Sequence, residues 1–257
     1  DACSFLYNLL LLQSVFAETL TWNFPSWSIS AEFLTYALFA LLILVAGRLR
    51  IPRAVIYALP IVLGGLVVAR EGMGSTEIGL FRCLLSFFIG CCAFEIEQRS
   101  TLSEGAIPGT IALAAIAGVV LAVIWSDALP RPAMLVMPLL FAAMILVTNA
   151  ADPNSHPMRA LAHPWLVHLG TISYSIYMIH AALWWVLKTG LRFGAGVPIV
   201  TDDAGKTVLG FTDPWIATGV QLTALVLLVA LAHMTYRLIE RRFLSGPSTA
   251  ARRRAPR

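Results

Sequence analysis

Apolar residues along this chain gather in seven blocks, residues 27–46, 54–68, 78–96, 107–125, 133–147, 166–187 and 215–238, separated by polar or proline-containing connections. Most approach the roughly 20 residues an α-helix needs to cross about 30 Å of hydrocarbon, with the second and fifth shorter. The opening apolar run, residues 5–16, is shorter still and holds Tyr7, Asn8 and Gln13 among its leucines, which predicts an interfacial or re-entrant helix rather than a span. Residues 192–214 form the longest internal connection. There, two short β-branched runs flank an Asp/Gly turn, the pattern of a small hairpin.

Composition turns these blocks into membrane spans. Of 257 residues, 58% are hydrophobic and 12% charged, with a mean hydropathy of +0.79, whereas soluble domains carry about 25% charged residues. The predicted fold class is all-α, a polytopic transmembrane helix bundle of about seven spans. With the C-terminus placed in the cytoplasm, twelve of the 18 Lys and Arg fall on the cytoplasmic side and five on the other, with Arg82 inside a span. That bias predicts a multi-pass protein of the inner (plasma) membrane with a cytoplasmic C-terminus. The net charge of +4 is then a cytoplasmic collar plus a basic, disordered tail over residues 244–257, and it implies no nucleic-acid partner. Cys3, Cys83, Cys91 and Cys92 show no metal-site spacing and read as packing residues, with no disulfide inferred. His156, His163 and His168 lie in or beside a loop at spacings foreign to zinc sites, and His233 reads as interfacial, so no metal is expected.

The chemistry-bearing candidates are polar residues within the apolar blocks. Glu32 lies about one and a half turns into the first block. It shares a face with Ser28 and Tyr36, four residues to either side. A carboxylate in a span is costly and functional by default, although a buried carboxylate kept for packing remains open. Arg82, followed by Ser86 and Gly90 on a small polar face, is the natural counter-ion for Glu32, with snorkelling to the interface as the alternative. Ser173, Tyr177 and His180 follow i, i+4, i+7 and form one stripe. Imidazole exchanges a proton near neutral pH and the hydroxyls can orient it, although a His bonded only to a neighbouring helix fits equally. The run Asp203-Ala204-Gly205-Lys206-Thr207 lacks the glycine a P-loop needs five positions before Gly205, where Val200 stands.

These residues sit in segments that resemble a known family. The stretch from Asn23 through Pro25-Ser26-Trp27-Ser28-Ile29-Ser30-Ala31-Glu32-Phe33 resembles the Pro-Ser-Trp-Ser-x-Ser-x-Glu segment of the membrane acyltransferase-3 family, bacterial integral-membrane enzymes that O-acylate sugars and related acceptors. Gly170-Thr171-Ile172-Ser173-Tyr174-Ser175-Ile176-Tyr177-Met178-Ile179-His180 is similar to its Gly-x-Ile-Ser-Tyr-Ser-x-Tyr-x-x-His segment. Leu80-Phe81-Arg82 through Gly90 matches the Arg-bearing helix between them, and Tyr236-Arg237-Leu238-Ile239-Glu240 the closing segment.

The resemblance implies transfer of an acyl group, acetyl being the commonest, from acyl-CoA as co-substrate to a carbohydrate hydroxyl, with no bound cofactor and the lipid bilayer as surroundings. It implies catalytic roles for Glu32 and His180, and substrate binding by Trp27, Ser28, Ser30, Arg82, Ser173 and Tyr177. Family members have about ten spans and a key His eleven positions after an Arg. No His here has Arg or Lys at that distance, so the expectation is one membrane-embedded domain over residues 1–257, the C-terminal two-thirds of a member, with the base His upstream. The readings from other classes are a proton-coupled membrane transporter and a non-catalytic membrane partner protein.

Overall fold

The computed structural model describes residues 2–16, 23–71, 78–100, 104–201 and 207–244, and these are almost entirely helical. Trp22, the hairpin turn at residues 202–206 and residues 245–257 of the basic tail lie outside the described residues. The chain divides into two compact units, Asp1–His163 and Pro164–Arg257.

In the first unit the opening apolar run is a broken helix. α1 (Ala2–Leu9) stops at Leu11, which adopts a left-handed conformation (φ 56°), and α2 (Gln13–Phe16) follows. The N–H groups of Leu11 and Leu12 return to the carbonyls of Asn8 and Tyr7, a Schellman closure with leucine where glycine is usual. α3 (Ser26–Leu49) ends at Arg50, again left-handed (φ 55°), whose N–H bonds to the Ala46 carbonyl. α4 (Arg53–Glu71) carries Pro60 in its interior, buried with Ile56, Tyr57, Gly64 and Val68. α5 (Gly79–Arg99) packs along α4 and α3.

The core of this unit is aromatic. Phe88 is fully buried, with Tyr57 at 5.8 Å and Phe87 at 5.4 Å between ring centres, and Phe39 meets Phe87 at 5.3 Å. At Gly64 the two helices approach so closely that an added Cβ would lie 2.7 Å from the Phe81 carbonyl oxygen and 3.0 Å from Leu85 Cβ. A small residue at the crossing is how membrane helices gain contact without a hydrophobic driving force.

α6 (Gly109–Ile124) and α7 (Val136–Asn149) form an antiparallel pair: Ile107, before α6, exchanges backbone hydrogen bonds with Ala150 and Asp152, after α7. α8 (His156–Leu161) covers the start of α6, where a Cβ at Gly109 would run into Ser155. One end of this unit gathers charge. Glu95 accepts from Arg53 at 2.8 Å and from Arg99 at 3.3 Å, and Glu97 accepts from Asn149 at 2.9 Å.

In the second unit α9 (Pro164–Thr171) and α10 (Ser173–Gly194) are bent by 63° at Ile172. The sixth apolar block is therefore bent in two, the form of a broken span or a re-entrant segment, rather than one continuous helix. The hairpin is present as antiparallel β1 (Ile199–Thr201) and β2 (Thr207–Leu209), with Val200 opposite Val208. α11 (Pro214–Thr235) begins with Asp213 capping the Trp215 N–H, continues through a π-helical turn at Tyr236–Glu240, and ends in α12 (Arg241–Leu244).

The protein is thus an all-α polytopic membrane protein, and all seven apolar blocks are helical. Among the described residues five helices have the length and apolarity to cross a membrane, six with the bent pair, and α6 has only 16 residues. Leucines and valines point outward on the long helices: Leu44 and Val226 are each 68% exposed. An apolar surface of this extent is at home only in hydrocarbon.

Candidate active site

The Pro-Ser-Trp-Ser turn owes its shape to its own serines. The Ser26 hydroxyl donates to the Asn23 carbonyl at 2.7 Å and that of Ser28 to the Pro25 carbonyl at 3.2 Å, tying the start of α3 to the turn before it. Ser30 is fully buried: its hydroxyl donates to the Leu11 carbonyl at 2.7 Å, accepts the Ser14 N–H at 3.1 Å and lies 2.8 Å from the Ser14 hydroxyl. Gln13 Nε2 donates to the Ser26 carbonyl at 3.0 Å. The serines of this segment thereby fix the α1–α2 break onto α3. Two buried polar atoms among the described residues have no hydrogen-bond partner, Gln13 Oε1 and Thr35 Oγ1, both next to this turn or on α3. Replacing Ser30 by Ala leaves the Leu11 carbonyl and Ser14 N–H unmet, a local cost of about 1–3 kcal/mol. Backbone amides of residues 10–15 are then expected to exchange faster in hydrogen–deuterium exchange, and an unchanged pattern would refute this anchoring role.

Trp27 meets the Arg-bearing helix. Its indole lies over Gly79, where any Cβ would collide with the ring, and the Arg82 guanidinium stacks on it at 5.1 Å. Gly79 and Arg82 are three residues apart, so one face of α5 holds the indole from both ends. This overturns the expected Glu32–Arg82 ion pair, since no salt bridge joins them. Glu32 is five positions after Trp27, about 140° around the helix, so its carboxylate leaves α3 on a different side from the indole that carries the guanidinium. Glu32 and Tyr36 are instead both exposed on α3, with Ser28 half-buried on the same face.

In the second unit Tyr177 and His180 are in contact, with rings 5.7 Å apart, and Ser173 is exposed on their face of α10. His180 Nδ1 lies 2.6 Å from the Tyr177 carbonyl oxygen. A carbonyl only accepts, so Nδ1 carries the proton and a neutral ring keeps Nε2 as the acceptor nitrogen.

Sequence reasoning missed two pairings here. Ser175, buried at 1% exposure, donates to the Glu240 carboxylate, joining α10 to the π-helical turn. His168 lies on α9, and its Nε2 is 3.0 Å from His233 Nδ1 on α11. Each pair is 65 residues apart in the chain. The only available signal was that Ser175 and Glu240 both sit inside the quoted segments. Among the described residues no three of His, Cys, Asp and Glu are grouped to hold a metal ion.

The four segments thus pair by contact, Trp27 with the Arg82 helix in one unit and Ser175 with Glu240 in the other. A family model described as an acyltransferase domain matches residues 4–235, reaching from α1 to the end of α11 and stopping just before the closing Tyr-Arg-x-Ile-Glu segment. No curated protein and no solved structure gives a significant match to the chain. With its model matched over nearly the whole length, the chain belongs to the acyltransferase-3 family of membrane acyltransferases.

Proposed function

We propose that this acyltransferase moves an acyl group, acetyl in the simplest case, from acyl-CoA to a hydroxyl of a sugar or polysaccharide. Acyl transfer from a thioester needs a base for the hydroxyl, donors for the developing oxyanion and alignment of both substrates. The observation that carries the reading is Glu32: an exposed carboxylate on an apolar helix, in no ion pair among the described residues, beside a turn whose shape its own serines fix. Glu32 holds the acceptor hydroxyl or the base that deprotonates it. His180, with Nδ1 bound to its own backbone, offers Nε2 for proton transfer. Arg82 on Trp27 presents positive charge beside the turn, where Ser28 offers a hydroxyl to a polar substrate; in the second unit Ser173 and Tyr177 offer hydroxyls on the face that carries His180. Ser30 contributes by holding the turn.

The C-terminus is cytoplasmic in this reading, in the inner membrane. It draws support from the Arg53, Arg99 and Glu95 cluster, since both arginines lie at one end of the first unit. The acyl donor approaches from that side and the acceptor from the other. Membranes carrying the full-length protein, given isotopically labelled acetyl-CoA and an oligosaccharide, are expected to yield alkali-labile labelled ester on the sugar. Proton-driven uptake of the sugar without ester formation would replace the reading with a carrier.

A further inference from the structure

Between α3, α4 and α5 lies an open cleft of about 470 Å³, within the roughly 300–1,000 Å³ of small-molecule sites. Its walls are the rings of Phe39, Tyr57, Phe87 and Phe94. Three of these rings are held by the aromatic core, Phe39 and Phe87 edge-to-face and Tyr57 tilted against Phe88, so that part of the wall has a fixed shape. Gly90 opens its middle, where an added Cβ would meet nothing within 4 Å. The lip is polar: Arg53, 64% exposed, bonds Glu95, which also takes Arg99. Arg48 and Arg50 stand at the adjoining end of α3.

We infer that this cleft binds one acyl tail of an anionic phospholipid, with the lipid phosphate on Arg53. Within membrane-spanning helices the filler for an apolar slot is hydrocarbon, because water there would leave its hydrogen bonds unmade. A tail entering at the lip runs past Glu95, then Gly90 and Cys91, to Phe87, four residues per step along α5. At the lip two arginines share one carboxylate, leaving net positive charge where a phosphodiester sits. Basic pockets between membrane helices select anionic headgroups in this way. A coenzyme A ester carries several phosphates and an adenine. Its oleoyl ester shares the tail but not the single phosphodiester headgroup, which makes it the competitor in the test. The inference stands apart from the acyl-transfer reading and does not depend on it.

The test uses full-length protein, delipidated in detergent, and native mass spectrometry with dioleoylphosphatidylglycerol, dioleoylphosphatidylcholine or oleoyl-CoA. The anionic lipid is expected to be retained about fivefold better than the zwitterionic one, the worth of one arginine near a headgroup. Gly90→Phe, which fills the cleft and leaves the lip intact, is expected to abolish retention, with elution volume and melting checked against wild type. Arg53→Gln is expected to remove only the preference for the anionic lipid, and it decides the matter should the phenylalanine variant fail to fold. Equal retention of both lipids by wild type and Arg53→Gln, or loss of oleoyl-CoA alone in Gly90→Phe, overturns the assignment.

Discussion

Glu32→Gln is expected to lose acyl transfer by about 100-fold or more, the scale of removing a group that handles the acceptor proton, while the protein stays folded. The two outcomes separate because of where Glu32 sits. It is exposed and makes no ion pair among the described residues, so an amide of the same shape disturbs no packing, and exposed positions of this kind shift stability by about 0.5 kcal/mol or less. Ester formation from labelled acetyl-CoA, read beside the melting midpoint in detergent, measures both. Wild-type turnover in the variant would remove Glu32 from the reaction. A melting midpoint that fell along with activity would make its role one of packing.

The largest effect on stability is expected at Gly64. A valine there drives its branches into the Phe81 carbonyl and Leu85, which an added Cβ would already approach to 2.7 and 3.0 Å. The obstacle at Phe81 is backbone rather than a flexible side chain, so α4 and α5 must separate, at about 3 kcal/mol. Gly118→Ala is the matched control. A Cβ there meets nothing within 4 Å, and the better helix former gains up to about 1 kcal/mol. Thermal unfolding in detergent is expected to move down for the first and to hold or rise for the second. Equal melting for Gly64→Val and wild type would refute the tight crossing.

The helices were legible in the sequence because length and apolarity are local properties: six of the seven blocks became a single helix within a few residues of their expected ends, and the sixth became the bent pair α9 and α10. Three features were not. The break at Leu11 uses a leucine where a glycine would have announced it. The bend at Ile172 has no proline at or beside it. The π-helical turn that brings Glu240 to Ser175 leaves no mark on the apolar pattern. The candidate site was legible as a set of segments but not as a set of contacts. Opposite charge pointed to Glu32 for Arg82, whereas the position of Gly79 beneath Trp27 gives the guanidinium an aromatic face instead.

The brevity of α6 bears on the membrane as much as on the protein. Its 16 residues rise about 24 Å, some 6 Å less than a typical hydrocarbon layer. Where α6 crosses the bilayer, lipid around the α6–α7 pair has to thin to meet it, at fractions of a kcal/mol per ångström, with Trp125, 62% exposed at its end, as the anchor in the headgroup region. Hydrophobic mismatch of this kind makes bilayer thickness a variable of the fold. Short-chain lipids relieve the strain, and a thick, sterol-stiffened layer would work against the hairpin.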